Sequence, residues 1–164
     1  MKIKNQLAIF IVLMIVWILI NNSFKIEIIA IGAILSFLLA IVFGSRTDVL
    51  NEFKFTPAAF FYTGVYLIVF LSELIKSNID VALRVLKPSL PINPGIVKTK
   101  TVLKSKMARM ILTNSITLTP GTLTVDIEGD ILYIHWIDVQ SADIEVATEK
   151  IVKKFENILV KIYG

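Results

Sequence analysis

The catalytic vocabulary of this chain is small: one histidine, His135, no cysteine, and carboxylates that seldom cluster. Without cysteine there is no disulfide, no thiolate metal site and no sulfur nucleophile. A histidine acting as general base needs an oriented nucleophile and a partner of its own. His135 instead falls in Leu132-Tyr133-Ile134-His135-Trp136, where alternation sends Leu132, Ile134 and Trp136 to one face. It shares the other face with Tyr133 and reads as a surface or edge histidine. No metal-ligand spacing, phosphate-cradling glycine loop or nucleophile elbow occurs in the sequence. The expectation is a protein that is not an enzyme and holds no cofactor.

Three groups of residues carry more information. Leu118-Thr119-Pro120-Gly121-Thr122-Leu123-Thr124 is rich in hydroxyls that suit an ion or a phosphate. Proline at the second and glycine at the third turn position also explain it, and Thr119, Pro120 and Gly121 are read as a tight turn. Glu73, Lys76, Asp80 and Arg84 alternate in sign at helical steps of three and four. Either they form an intrahelical ladder at the water boundary, or Glu73 and Asp80 face an ion path or a charged neighbouring subunit. Charge at bilayer depth is expensive, which is why these two acids stand out. Lys98, Lys100, Lys104, Lys106 and Arg109 form a basic run with no acid among them. Anionic lipid attracts such residues by about 1 kcal/mol each, and an acidic protein surface would serve as well. No aromatic side chain interleaves them, which argues against nucleic acid.

The elements that position these groups are mostly apolar. Hydrophobic residues make up 55% of the chain and charged ones 18%, with a mean hydropathy of +0.77. Soluble domains carry about a quarter charged residues, so the excess belongs in a membrane. It is concentrated before residue 88, in three runs. Ile3–Ile20 would form a helix of about 27 Å, matching a hydrocarbon core, with Lys2 and Lys4 at one end and Trp17 near the other. Those lysines and the run after them imitate a secretory leader, but no small-x-small site follows, so the segment is read as a retained anchor. Asn21–Lys25 is so short that the second run, Ile26–Phe43, must return antiparallel. Gly32, Ser36, Ala40 and Gly44 recur every four residues and make one small-residue stripe, fitted to close helix packing within the hairpin or against another subunit. A polar connector, Gly44–Thr56, leads to Thr56-Pro57, an N-cap followed by proline at the first helical position. The third run, Pro57–Ile75, continues without a breaker into amphipathic Lys76–Leu86. There Ile75, Ile79, Ala82, Leu83 and Leu86 oppose the charged residues.

Pro88, Pro91 and Pro94 stop that helix and mark a stiff linker. The tail then reads as an edge strand from Ile96 and a helix from Ser105 with Met107, Met110, Ile111 and Leu118 inward. Two strands follow, joined at Glu128-Gly129-Asp130, and then a helix capped by Ser141 with Ile144, Ile151, Phe155, Ile158, Leu159 and Ile162 inward. The expected architecture is a transmembrane α-helical domain at 1–87, a linker at 88–95 and a small water-soluble α+β domain at 96–164, of order β-α-β-β-α. Three crossings put the termini on opposite sides. With the tail cytoplasmic, Lys25, Lys76, Arg84 and Lys87 lie inside and Lys2, Lys4, Arg46 and Lys54 outside, a tie that the basic run breaks in favour of a cytoplasmic tail.

The string Glu73-Leu74-Ile75-Lys76-Ser77-Asn78-Ile79-Asp80-Val81-Ala82 and the Pro-rich joint are followed by Asn114-Ser115-Ile116-Thr117-Leu118-Thr119-Pro120-Gly121-Thr122-Leu123-Thr124-Val125. A Leu-Tyr-Ile-His-Trp-Ile-Asp strand comes next. Together these resemble the E subunit of the multisubunit Mrp-type (Mnh, Sha, Pha) Na+/H+ antiporters, across essentially the whole chain. The resemblance implies an auxiliary subunit of a bacterial cell-membrane complex, beside six other subunits, with Na+ and H+ as the ions moved by the whole. It implies that the proton channels belong to two large subunits, that this subunit is needed for the assembled exchanger, and that Thr119, Pro120 and Gly121 are sensitive positions. Other subunits and membrane lipid are the expected partners. The rival reading is a free-standing membrane-anchored module that recruits anionic lipid or an acidic partner through its basic run.

Overall fold

The computed structural model describes residues 2–44, 52–54 and 56–164. Most of the expected polar connector, 45–51 with Arg46, and also Phe55, lies outside the described residues. The chain packs as two compact units, Met1–Glu52 and Phe53–Gly164.

The first unit is a helical hairpin of α1 (Lys2–Asn21) and α2 (Ile26–Gly44). Asn22 closes α1 at φ +46°, a left-handed position that asparagine tolerates, and donates its N–H to Ile18 O at 2.9 Å. Gly32, Ser36, Ala40 and Gly44 are the buried residues of α2. Their stripe faces α1. A Cβ added to Gly32 would stand 2.3 Å from Trp17 Cδ1, and one at Gly44 would stand 2.8 Å from Gln6 Cα. The Trp17 indole cannot easily yield, because its Nε1 donates to Ile28 O at 2.9 Å. Gly32→Val should therefore weaken the hairpin by about 1–3 kcal/mol through overpacking. The expected readout is a reduced monodisperse fraction after detergent extraction, with the outward-facing Ile34→Val as an unaffected control. Equal yields from the two variants would show that the stripe does not hold this hairpin.

The second unit begins with α3 (Pro57–Leu86), a 30-residue helix. Thr56 caps it, accepting from Ala59 N at 3.1 Å, and Pro57 occupies the first turn. The sheet comprises β1 (Gly95–Lys100), β2 (Thr122–Glu128) and β3 (Ile131–Trp136) in the order β1-β3-β2, antiparallel throughout. β1 is an edge strand, and the β2 pairing slips by one residue between Thr124 and Asp126. α4 (Lys106–Leu118) lies between β1 and β2 in sequence. The closing helix is α5 (Ile144–Ala147), a π-helical turn at Thr148–Val152, and α6 (Lys153–Tyr163). Helices α2 and α3 are long and apolar enough to cross a membrane, and α1 supplies a shorter apolar stretch, Asn5–Asn21.

The core gathers Val97, Leu132 and Ile134 of the sheet with Leu112 and Ile116 of α4 and Phe155 and Leu159 of α6. Ala59 and Tyr66 bring α3 into the same cluster. Packing therefore joins α3 to the tail, although composition sets the linker at 88–95. Two readings are corrected here. The buried face of α4 is Ala108, Leu112, Ser115 and Ile116, whereas Met110 and Leu118 are exposed and Met107 and Ile111 only half-buried. The cap of α5 is Asp143, whose carboxylate accepts from Glu145 N and Val146 N, while Ser141 only accepts from Asp143 N.

Candidate functional site

The turn residues and the charged face of α3 line one cleft. Its walls include Ser77, Asp80 and Arg84 of α3, Thr119 to Thr122, Asp138, and Lys150 and Lys154 of the closing helix. Thus Asp80, Thr119, Pro120 and Gly121, scattered in sequence, meet in space, and Glu73 joins them through Lys154.

The turn is built from its own hydroxyls. Thr119 Oγ1 donates to Ser115 O at 2.7 Å, and Thr122 Oγ1 donates to Ile116 O at 2.7 Å and Thr119 O at 3.0 Å. These bonds satisfy carbonyls that the end of α4 would leave open. Thr122 N closes the turn on Thr119 O at 3.2 Å, with Gly121 at φ +93° as a type II turn requires. Gly121 O accepts from Ile137 N at 2.8 Å, which ties the turn to the end of β3. Thr124 Oγ1 donates to Thr113 O at 3.3 Å, and Thr124 N to Thr117 Oγ1 at 3.2 Å. These threonines serve the backbone of the turn.

The charges of α3 are paired both along the helix and across the cleft. Glu73 lies 3.1 Å from Lys76 Nζ and 2.7 Å from Lys154 Nζ. Arg84 Nε meets Asp80 at 2.7 Å, while its Nη1 donates to Asp138 Oδ2 and Pro91 O, both at 2.8 Å. One guanidinium thus ties α3, the Pro-rich joint and the end of β3 together. Its planar fork makes such simultaneous bonds possible where a lysine ammonium would not match them.

The basic run divides by role. Lys98 Nζ sits 5.4 Å from the centroid of the Tyr133 ring, opposite it in the β1–β3 register. Tyr133 donates to Glu128 at 2.9 Å, which pushes its hydroxyl pKa up. Lys100, Lys104 and Lys106 are exposed. Arg109 turns inward, donating to Leu103 O at 2.5 Å and Gly129 O at 2.6 Å and pairing with Asp130 at 2.5 Å. It clamps the β2–β3 hairpin to α4. His135 is half-buried in β3, facing Ile96 and Leu123 in register.

A model of the family described as Na+/H+ ion antiporter subunit matches residues 10–162. The chain belongs to that family. A Na(+)/H(+) antiporter subunit E1 of Staphylococcus aureus (strain bovine RF122 / ET3-1) is 32% identical over 165 residues, covering 93% of this chain and 98% of that relative. A chain of the membrane-bound sulfane sulfur reductase, an archaeal respiratory membrane complex, shares the fold at a TM-score of 0.82. It is 43% identical, across 94% of this chain and 96% of that one. A chain of the Mrp complex from Dietzia sp. DQ12-45-1b is 25% identical at a TM-score of 0.43, across 60% of this chain and 93% of that one. The expected family and the membrane location follow from the family model and the Staphylococcus aureus relative, and the antiporter subunit is a transporter component.

Within this antiporter subunit, sequence reading missed Asp138, Lys150 and Lys154 as walls of the cleft. Asp138 directly follows the apolar β3 run, as an acid at a strand end should when it pairs with a helix. Lys154 gives no such signal, because its partner Glu73 lies 81 residues away.

Proposed function

We propose that this chain is an auxiliary subunit of a multisubunit monovalent cation/proton antiporter, needed for assembly and exchange while other subunits carry the proton channels. Family membership across residues 10–162 carries this reading. The paired charges support it: Glu73 pairs with Lys154, and Arg84 with Asp80 and Asp138, so each of these acids has a cation of the same chain as its partner. The hairpin of α1 and α2 anchors the chain in the cell membrane, and the polar stretch 96–164 works on the cytoplasmic side. Its partners are the other subunits and the surrounding lipid.

Deleting the subunit from an otherwise complete complex should abolish Na+-dependent proton exchange in membrane vesicles, and supplying it again should restore exchange. The purified subunit alone should give no such flux. Flux from the single subunit would overturn the auxiliary role, and full exchange without it would overturn the requirement.

A second reading is favoured by the 43% identity to a chain of an archaeal respiratory membrane complex. There the subunit would belong to an assembly that also carries a reductase. The two separate on affinity purification from mild detergent: antiporter subunits alone, or a reductase among the recovered partners. Recovery of the subunit without any membrane partner would instead support the free-standing module.

A further inference from the structure

The tail grips α3 at three places spaced eleven residues apart. Lys161 Nζ lies 4.7 Å from the centroid of the Tyr62 ring. Lys154 Nζ lies 2.7 Å from Glu73, and Arg84 donates to Asp138 at 2.8 Å. Eleven residues are about three helical turns, so Tyr62, Glu73 and Arg84 share one side of α3. Tyr66, on that side, meets Ser115 of α4 at 2.6 Å. From Tyr62 to Arg84 the helix axis runs about 33 Å, already more than a hydrocarbon core of about 30 Å. The opposite side carries Phe61, Ile68, Leu71, Ile75, Ile79 and Leu86 at steps of three, four or seven, from 53% to 78% exposed. Along its whole length, α3 is held by the tail on one side and is bare and apolar on the other.

A helix crossing the bilayer over 57–75 would carry Lys154, Lys161 and the rest of α6 to bilayer depth, where ionised side chains are expensive. Pulling α6 away instead would uncover Phe155 and the Tyr66 hydroxyl. Neither penalty arises for a helix lying along the membrane surface with its apolar side in lipid and its other side in the protein. We propose that the bare face of α3 docks on the lipid surface. The helix lies in the plane of the interface with the tail on its water side, and the chain crosses the bilayer twice, so the third crossing expected from hydropathy gives way.

The charge distribution agrees. Two crossings return the chain to the side on which it started, so Lys2, Lys4, Arg46 and Lys54 flank the hairpin on one side and Lys25 alone on the other. Three crossings left the flanks in a tie only by setting Lys76, Arg84 and Lys87 beside Lys25; two give the bias that places the richer side in the cytoplasm, and α3 with it. Lys76, 70% exposed beside the apolar face, is placed to reach the headgroups. The membrane location comes from family membership, and the proposal does not depend on exchange.

The chain has no cysteine, so single cysteines report on sides and depths in the assembled complex. Ser23→Cys, Ser45→Cys and Ala142→Cys are treated with an impermeant maleimide in intact and in opened cells. Two crossings make Ser23→Cys the odd one out, labelled in intact cells while the other two label only after opening. If Ser45→Cys is the odd one out, three crossings stand and the proposal falls. Phe61→Cys, Ile68→Cys and Ile75→Cys, each bearing a nitroxide, are then measured with lipid-borne quenchers in phosphatidylcholine–phosphatidylglycerol vesicles. Equal, shallow depths are expected. Depths that step toward the midplane would overturn the proposal, and so would labels that no lipid quencher reaches, since a neighbouring subunit would then cover the face.

Discussion

Gly121→Val should lower the melting temperature of the detergent-solubilised subunit by about 10 °C or more and reduce the yield of the assembled complex in proportion. Gly121 holds φ +93°, which side chains with a Cβ rarely adopt, and this strain amounts to about 1–3 kcal/mol. Space is a second obstacle. An added Cβ would stand 3.0 Å from Ile137 Cγ2 and 3.7 Å from Val81 Cγ2, so the branches of valine must push β3 from α3. Overpacking of this kind adds about 1–3 kcal/mol. The turn also holds Ile137 N through Gly121 O, so the damage reaches the strand end that presents Asp138 to Arg84. Gly129 supplies the control. It too has a positive φ, +59°, but open space around it, and Gly129→Asn should be nearly neutral. If Gly121→Val melts like the wild type, the turn does not brace α3 against the sheet.

The turn was legible because Pro-Gly dictates its own geometry, and the same holds for the other local features. Thr56-Pro57 and Ser105 mark helix starts through their own side chains, and both caps form as read. The β-α-β-β-α order followed from patterns shorter than a dozen residues. Readings went astray where two packing partners compete for one element. α4 lies against both the sheet and the outer helices, so ranking its residues by hydropathy favoured Met110 and Leu118. The close-packed face instead uses small Ala108 and polar Ser115, whose hydroxyl meets Tyr66, 49 residues away. The closing helix is interrupted for a reason of the same kind. Around its π-helical turn, Thr148 Oγ1 donates to Ile144 O at 2.6 Å and accepts from Lys100 N at 2.9 Å, a bond to the edge strand that no helical period announces.

Glu156→Leu should destabilise the tail by about 3 kcal/mol, and Glu156→Gln by less, with a dependence on pH that separates the two roles of the carboxylate. Glu156 is only 1% exposed, yet it is fully bonded. Its Oε1 accepts from Thr101 Oγ1 at 2.6 Å and Val102 N at 2.8 Å, and its Oε2 meets Lys153 Nζ at 2.8 Å. The carboxylate thereby holds the segment that leads from β1 toward α4. Burial pushes its pKa up, but Lys153, the Thr101 hydroxyl and the Val102 N–H together outweigh burial and hold it below the ordinary carboxylate range. A carboxyl whose pKa is lower folded than unfolded stabilises fully above its unfolded pKa of about 4.3 and loses that contribution as pH falls through the folded value. Glutamine can still accept from Thr101 and Val102 but loses the ion pair with Lys153, which is partly exposed and therefore contributes modestly. Leucine leaves the buried Thr101 hydroxyl and the part-buried Val102 N–H without this acceptor at every pH. Melting curves should accordingly show the wild type ahead of Glu156→Gln at pH 7 and the gap closing below about pH 4, where protonation removes the same charge. Glu156→Leu should stay below both throughout. A wild-type advantage over Glu156→Gln that is unchanged between pH 7 and pH 3 would mean that the buried carboxyl stabilises the tail through its shape and hydrogen bonds, with no part for its charge.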